Sequence, residues 1–184
     1  MTIGKLYTKE DLFEEFGVDP RPDAELTREE IIARNLKVVE AHFHSENPDE
    51  VEKAVAAYAP DISWEAPSRG VILKDRDEIL AAYRKIFQTF SYQKTIAIRR
   101  FATEDFVFDD QVVWARCVGD PAGMPGMPYE LGTDTCVRLV HCFHMRDGQI
   151  VREIAYEIWR KADSDIAHDD IPEGSVVEMF DFVG

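Results

Sequence analysis

The hydrophobic rhythm of the chain changes at Ser91, and that change constrains the fold more than any other feature. Before Ser91, one short strand-like segment apart, the apolar residues recur at helical spacing. After it they come in long runs rich in Val, Ile, Phe, Trp and Thr, as strands require. Thr27 is an N-cap residue with Glu30 three positions later, and Ile32, Leu36, Val39 and Phe43 follow at intervals of three or four, which predicts a long amphipathic helix. Asn47-Pro48-Asp49 breaks it. Val51, Ala54, Val55 and Tyr58 make a second, short helical stripe ending before Pro60, so the two helices form a hairpin. Ile62 to Ala66 reads as a short strand stopped at Pro67, and a helix from Asp77 to Phe90 carries Ile79, Leu80, Tyr83, Phe87 and Phe90 on one side.

Segments 94–101, 105–118, 133–145 and 149–160 are the strands, with hairpin breaks at Thr103-Glu104-Asp105 and Arg146-Asp147-Gly148. Helices first and an antiparallel meander afterwards predict an α+β fold, a curved antiparallel sheet covered on one face by the N-terminal helices. Residues 1–25 read as an N-terminal arm with a short helix capped at Thr8, residues 26–162 as the domain, and residues 163–184 as a tail. That tail turns apolar again at Val176, Val177, Met179 and Phe180, which suits either a lid or a dimer clasp. The loop Gly119 to Gly132, with Pro121, Pro125, Pro128, Met124 and Met127, cannot continue a ladder and is expected to arch over one sheet end, its Met side chains at a pocket rim.

At 184 residues the length fits one domain around one core. Thirty-six acidic against 21 basic residues give a formal charge of −15, which repels phosphate backbones and anionic lipid surfaces and argues against nucleic acid or membrane partners. The charged N-terminal region and the lack of a long apolar run lead to the expectation of a cytoplasmic protein. Cys117, Cys136 and Cys142 sit in strand-like segments and are expected to be reduced, structural thiols.

This order of elements, with Ala59-Pro60-Asp61-Ile62-Ser63-Trp64-Glu65-Ala66-Pro67 after two helices and Phe143-His144-Met145-Arg146-Asp147-Gly148-Gln149-Ile150 near the end, resembles SnoaL-like and NTF2-like proteins over residues 28 to 160. The resemblance implies a cone with a small-molecule pocket between sheet and helices. Its relatives include polyketide cyclases, ketosteroid isomerases, epoxide hydrolases and dehydratases, beside members that only bind or dimerise. By the resemblance, the isomerase base falls nearest Ala66 and its phenolic donor nearest Ala41 or His42, while the epoxide hydrolase acids fall near Val118 and Ala155. None of these positions keeps the required group, which speaks against either standard mechanism.

Strand alternation then selects candidates, because the helices cover one face only. Val137, Leu139, His141, Phe143 and Met145 share a face. So do Glu153, Ala155, Glu157 and Trp159, and the resemblance puts Ala155 inside the cavity. By the same resemblance His141 falls where ketosteroid isomerase keeps an oxyanion donor, although a hydrogen-bonded core histidine would look alike. Glu157, among aromatic residues, is the candidate acid–base. Glu153 flanks the same pocket, with a structural ion pair to Arg116 or Arg99 as the expected alternative. Arg116 could hold an oxyanion. Trp64, Tyr83, Phe87, Trp114 and Trp159 are expected walls for a flat hydrophobic ligand, whereas Tyr58 and Phe43 read as packing residues.

No metal is expected, because neither His42-x-His44 nor His141-Cys142-x-His144 aims two ligands together, and no phosphate-binding loop or nucleophile elbow is present. The expected function is a cofactor-independent isomerase, cyclase or dehydratase acting on a hydrophobic carbonyl compound. The alternative is a non-catalytic binding or dimerisation module. A homodimer is expected through a convex sheet face carrying Val113, Val140, Ile154, Tyr156 and Ile158.

Overall fold

The computed structural model describes residues 7–124, 126–127, 129–164, 169 and 171–179; Pro125, Pro128 and Phe180 lie outside them. Four helices, α1 (Lys9–Phe16), α2 (Arg28–His44), α3 (Val51–Ala56) and α4 (Arg76–Thr89), pack on one mixed sheet. Its strands are β1 (Tyr58–Ala66), β2 (Val71–Leu73), β3 (Phe90–Ala102), β4 (Phe106–Cys117), β5 (Asp134–Arg146), β6 (Gln149–Lys161) and β7 (Val176–Met179). They lie in the order β2-β1-β6-β5-β4-β3-β7. All neighbours are antiparallel except β1 and β6, which run parallel, so the sheet is not the pure antiparallel one expected. The α+β architecture with helices over one face holds.

Thr8, Thr27 and Asp75 cap α1, α2 and α4, the first two as full capping boxes that satisfy the orphan N–H groups of the first turn. The inward face of α2 is rotated from the expected stripe. Ile31, Arg34, Asn35, Val38, Val39 and His42 are buried, while Ile32, Leu36 and Phe43 are half-buried. The cause is that three inward residues are polar and find partners. Arg34 bonds Asp23 and the Arg21 carbonyl, Asn35 donates to the carbonyls of Thr103 and Glu104, and His42 joins the site described below. A buried polar group is stable only when so paired, and hydrophobic periodicity alone does not register it.

The main core joins Val38, Val39, Val55, Tyr58, Ile62, Trp64, Ile79, Val107, Phe143 and Ile150 to Leu12 and Phe13 of α1, so the N-terminal arm contributes to the same core. Register sets the faces of the sheet. Asp109, His141 and Ala155 are cross-strand neighbours, as are Phe143 and Glu153, and these inward residues face the helices. On the outer face the tail is tied down by Asp169, which accepts from Arg138 and Arg160, and by Ile171 against Ile98, Val112 and Cys136. It then adds β7 to the exposed edge of β3. Cys117 and Cys136 are buried, Cys142 is half-buried, and all three are free thiols. No described helix is long and apolar enough to cross a membrane.

Candidate functional site

His42, in the last turn of α2, lies one helical turn before Glu46, which follows the end of that helix. The end is set by Ser45 as C-cap and by Asn47, whose side-chain oxygen accepts from the amides of Asp49 and Glu50. Opposite them, β6 delivers Glu153, which is 1% exposed. His42 Nε2 is 2.9 Å from Glu46 Oε1 and 3.4 Å from Glu153 Oε2. Two tyrosines and a tryptophan complete the cluster. Tyr58 OH donates to Glu153 Oε2 at 2.5 Å, Tyr83 OH donates to Glu46 Oε1 at 2.7 Å, and Trp64 Nε1 donates to Glu153 Oε1 at 3.2 Å. The two hydroxyls lie 2.9 Å apart.

The electrostatics follow from this packing. Burial opposes an imidazolium, but the Glu46 and Glu153 carboxylates outweigh it and raise His42 to about 10. Burial pushes the Glu153 carboxyl up, yet the nearby His42 and His141 imidazoles and the hydrogen bond from Tyr58 hold it below its ordinary value. Tyr58 and Tyr83 are raised well above theirs by burial and by the negative charge of Glu153 and Glu46, so both hydroxyls stay protonated donors. One nitrogen and two carboxylates within 4.8 Å of one another are also a donor set suited to a cation.

A second buried pair lies beside the first. His141 Nδ1 stands 3.5 Å from Asp109 Oδ2, an ion-pair distance without a directed hydrogen bond, and Arg100 donates to Asp109 Oδ1 at 2.8 Å. Burial opposes charge on His141, and the Asp109 and Glu153 carboxylates override it, so its pKa is raised. Phe143 stacks on His141 and meets His42 edge-on, so one ring contacts both imidazoles.

A cavity of about 920 Å³ opens between the end of α2 and the concave side of β3, β4 and β5. Glu46, Phe43, Tyr92, Arg100, Gln111 and Leu139 line it, together with Gly174, Ser175, Val176, Glu178 and Met179 of the tail. Glu46 therefore belongs to both the cavity wall and the buried cluster. Both of its cluster contacts are made by Oε1, which leaves Oε2 without a hydrogen bond among the described residues.

Of the residues singled out from the sequence, the structure brings Trp64, Tyr83 and Glu153 together, with His141 alongside and Phe87 stacked on Tyr83 at the edge. Glu153 pairs with neither Arg116 nor Arg99; its partners are His42, Tyr58 and Trp64. Glu157 faces inward but is saturated. Arg69 donates to both its oxygens at 2.9–3.1 Å, and Trp159 Nε1 donates to it at 2.8 Å. That end of the sheet is filled by the 119–132 loop, with Met124 packed against Phe90, Ala115 and Cys117 instead of standing at a pocket rim. Gly126 makes this possible: its φ is +76°, and a Cβ there would come within 2.8 Å of the Arg69 backbone. Trp114 and Arg116 point to the opposite face of β4, where Lys94 covers the Trp114 ring and Arg116 pairs with Asp134 in solvent. Val113, expected on the convex side, lines the cavity.

Sequence reasoning missed His42, Glu46, Tyr58 and Asp109. Parity groups Asp109 with Val107 and Val113 on one face of β4, but only the register of β4 against β5 sets it opposite His141. His42 and Glu46, spaced one turn apart, were hidden because Glu46 lies past the helix and His42 looks like a break in the apolar stripe.

Comparisons with known proteins agree with this architecture. The family model described as a SnoaL-like domain matches residues 39–153. A protein of Xanthomonas campestris pv. campestris assigned as a polyketide cyclase superposes with a TM-score of 0.59 at 20% identity, over 68% of this chain and 91% of that one. An NTF2-like protein of Burkholderia xenovorans gives 0.57 at 13% identity, over 69% and 91%. An LEH-like epoxide hydrolase of M. tuberculosis gives 0.53 at 15% identity, over 69% and 84%. At these identities the likeness speaks for the fold alone. No curated protein matches the chain.

Proposed function

We propose that this chain, which belongs to the SnoaL-like domain family, is an acid–base enzyme that moves a proton on a hydrophobic carbonyl compound bound in its conical cavity. The observation that carries the reading is the double membership of Glu46, whose Oε1 is held by the buried cluster while the residue also lines the cavity. Glu46 is the base, taking a proton from the carbon next to the carbonyl. His42, between Glu46 and Glu153, keeps that carboxylate oriented before reaction. His141, backed by Asp109, is the donor that stabilises the oxygen as negative charge develops on it. Phe43, Tyr92 and Leu139 supply apolar walls, and Gln111 and Arg100 the polar points that orient a ligand.

The relatives named as an epoxide hydrolase and a polyketide cyclase support small-molecule chemistry in this fold, while this chain's own residues favour enolisation. A library of hydrophobic ketones, lactones and hydroxy-acyl compounds, followed by mass spectrometry, tests the reading. Wild-type protein and Arg116→Gln are expected to convert the same compounds, and Glu46→Gln to lose at least about 100-fold in rate, the lower end of what a positioned acid–base group contributes. Compounds retained unchanged by all three proteins would instead indicate a binding module.

A further inference from the structure

We infer that His42, Glu46 and Glu153 form a binding site for a divalent first-row transition ion, Zn²⁺ or Mn²⁺. Three observations converge on it. The two separations from the imidazole match those of a coordination shell, and all three donors lie within 4.8 Å of one another. Ligands about 2.1 Å from one ion stand roughly 3.0–3.4 Å from each other in octahedral or tetrahedral arrangements, and His42 Nε2 is 2.9 Å from Glu46 Oε1 and 3.4 Å from Glu153 Oε2. His42 is oriented as a ligand. Its Nδ1 is 3.0 Å from the Ala54 carbonyl, which can only accept, so Nδ1 carries a proton and Nε2 is the nitrogen turned toward the two carboxylates. Finally, Nε2 is fully buried and forms no directed hydrogen bond with either carboxylate despite its proximity. A proton on Nε2 can be aimed along one line only, whereas an ion attracts all three donors at once.

The surroundings fit the same reading. Glu153 is oriented by Tyr58 and Trp64, and Glu46 by Tyr83, so each carboxylate has the outer hydrogen bond that holds a ligand in place. One imidazole with two carboxylates favours a borderline transition ion over Mg²⁺ or Ca²⁺, which prefer all-oxygen shells. Glu46 borders the cavity, which gives an ion an entry path. The consequence rests on the function proposed above: an ion held here occupies the carboxylate assigned as the base, so loading and proton transfer exclude one another.

The test is isothermal titration of tag-free, EDTA-stripped protein with Zn²⁺ and with Mn²⁺, the latter also followed by electron paramagnetic resonance. One equivalent is expected to bind, and His42→Gln and Glu46→Gln are expected to weaken binding by more than the roughly 10–100-fold typical of losing an outer-shell partner. Glu65→Gln, whose carboxylate pairs with Arg152 at the surface, is the control that keeps wild-type affinity. Glu46 is part-exposed, so its variant reports even where the fully buried His42 variant fails to fold. Absence of saturable binding at micromolar ion, or unchanged affinity in Glu46→Gln, overturns the inference. Because binding is read without substrate, its failure leaves the proton-transfer reading standing. Equally, stoichiometric binding by a protein that converts no compound sustains the site and removes only the exclusion.

Discussion

At the residue scale the molecule places two imidazoles against three carboxylates under a hydrophobic roof, and charge compensation decides how they behave. Desolvation alone would make both histidines neutral. Glu46, Glu153 and Asp109 reverse that outcome, because in a low-dielectric interior an opposite charge at 3–3.5 Å outweighs the burial penalty. For His141 the linkage has a definite sign. Its folded pKa lies above the ordinary 6.5, so its contribution to stability is fully present below pH 6.5 and is lost as pH rises through the folded value. Imidazole NMR is expected to show His141 titrating above 6.5 in the wild type and at lower pH in Asp109→Asn. A wild-type value at or below 6.5 would remove it as a charged donor. His141 was legible in the sequence because strand alternation is a two-residue rule. Asp109 was not, because nothing in a single sequence sets the register of β4 against β5.

At the element scale, helix ends and strand edges do most of the positioning. The termination of α2 at Ser45 brings Glu46 back toward His42, and the capping signals at Thr27 and Asp75 that mark helix starts were readable directly. The inward face of α2 was not, since its buried stripe contains Arg34, Asn35 and His42, whose partners come from distant segments. The tail behaves as a strap: Asp169, held by Arg138 and Arg160, leads into β7 at the cavity wall. Burial raises the Asp169 pKa, and the two guanidinium groups more than offset this and lower it, so the clamp is in place above pH 3.8 and is lost as pH falls through the depressed folded value. Asp169→Asn is expected to speed hydrogen exchange in Val176–Met179 at neutral pH without changing exchange in β5 and β6. Equal protection in the variant would mean that β7 is held by its pairing with β3 alone.

At the scale of the whole molecule, one sheet separates two different environments. Its concave side carries the cavity and both histidine clusters. The outer side leaves Tyr156, Ile158, Phe101 and Ile72 about half exposed or more, with Phe101 stacked on Phe108. So much apolar surface favours self-association. Sedimentation is expected to find a dimer at micromolar concentration, and Ile158→Lys a monomer; a wild-type monomer would show that this face stays in solvent. The switch from helical to strand rhythm made the architecture readable, and the parallel pairing of β1 with β6 was the part it could not convey, because pairing partners far apart in sequence leave no local trace. The same limitation misplaced the pocket. Glu157 has the right parity, but Arg69 and the 119–132 loop close its end of the sheet, and the cavity lies toward β3 instead.

The central claim is that Glu46 moves a proton at a carbon next to a carbonyl while His141 stabilises the carbonyl oxygen. Its most direct test is solvent deuterium incorporation into a panel of hydrophobic ketones, read by mass spectrometry in metal-free buffer. The account predicts exchange by the wild type well above the buffer rate, lost in Glu46→Gln and strongly reduced in His141→Asn. Exchange that survives unchanged in Glu46→Gln, or that the wild type never accelerates for any ketone, would contradict it.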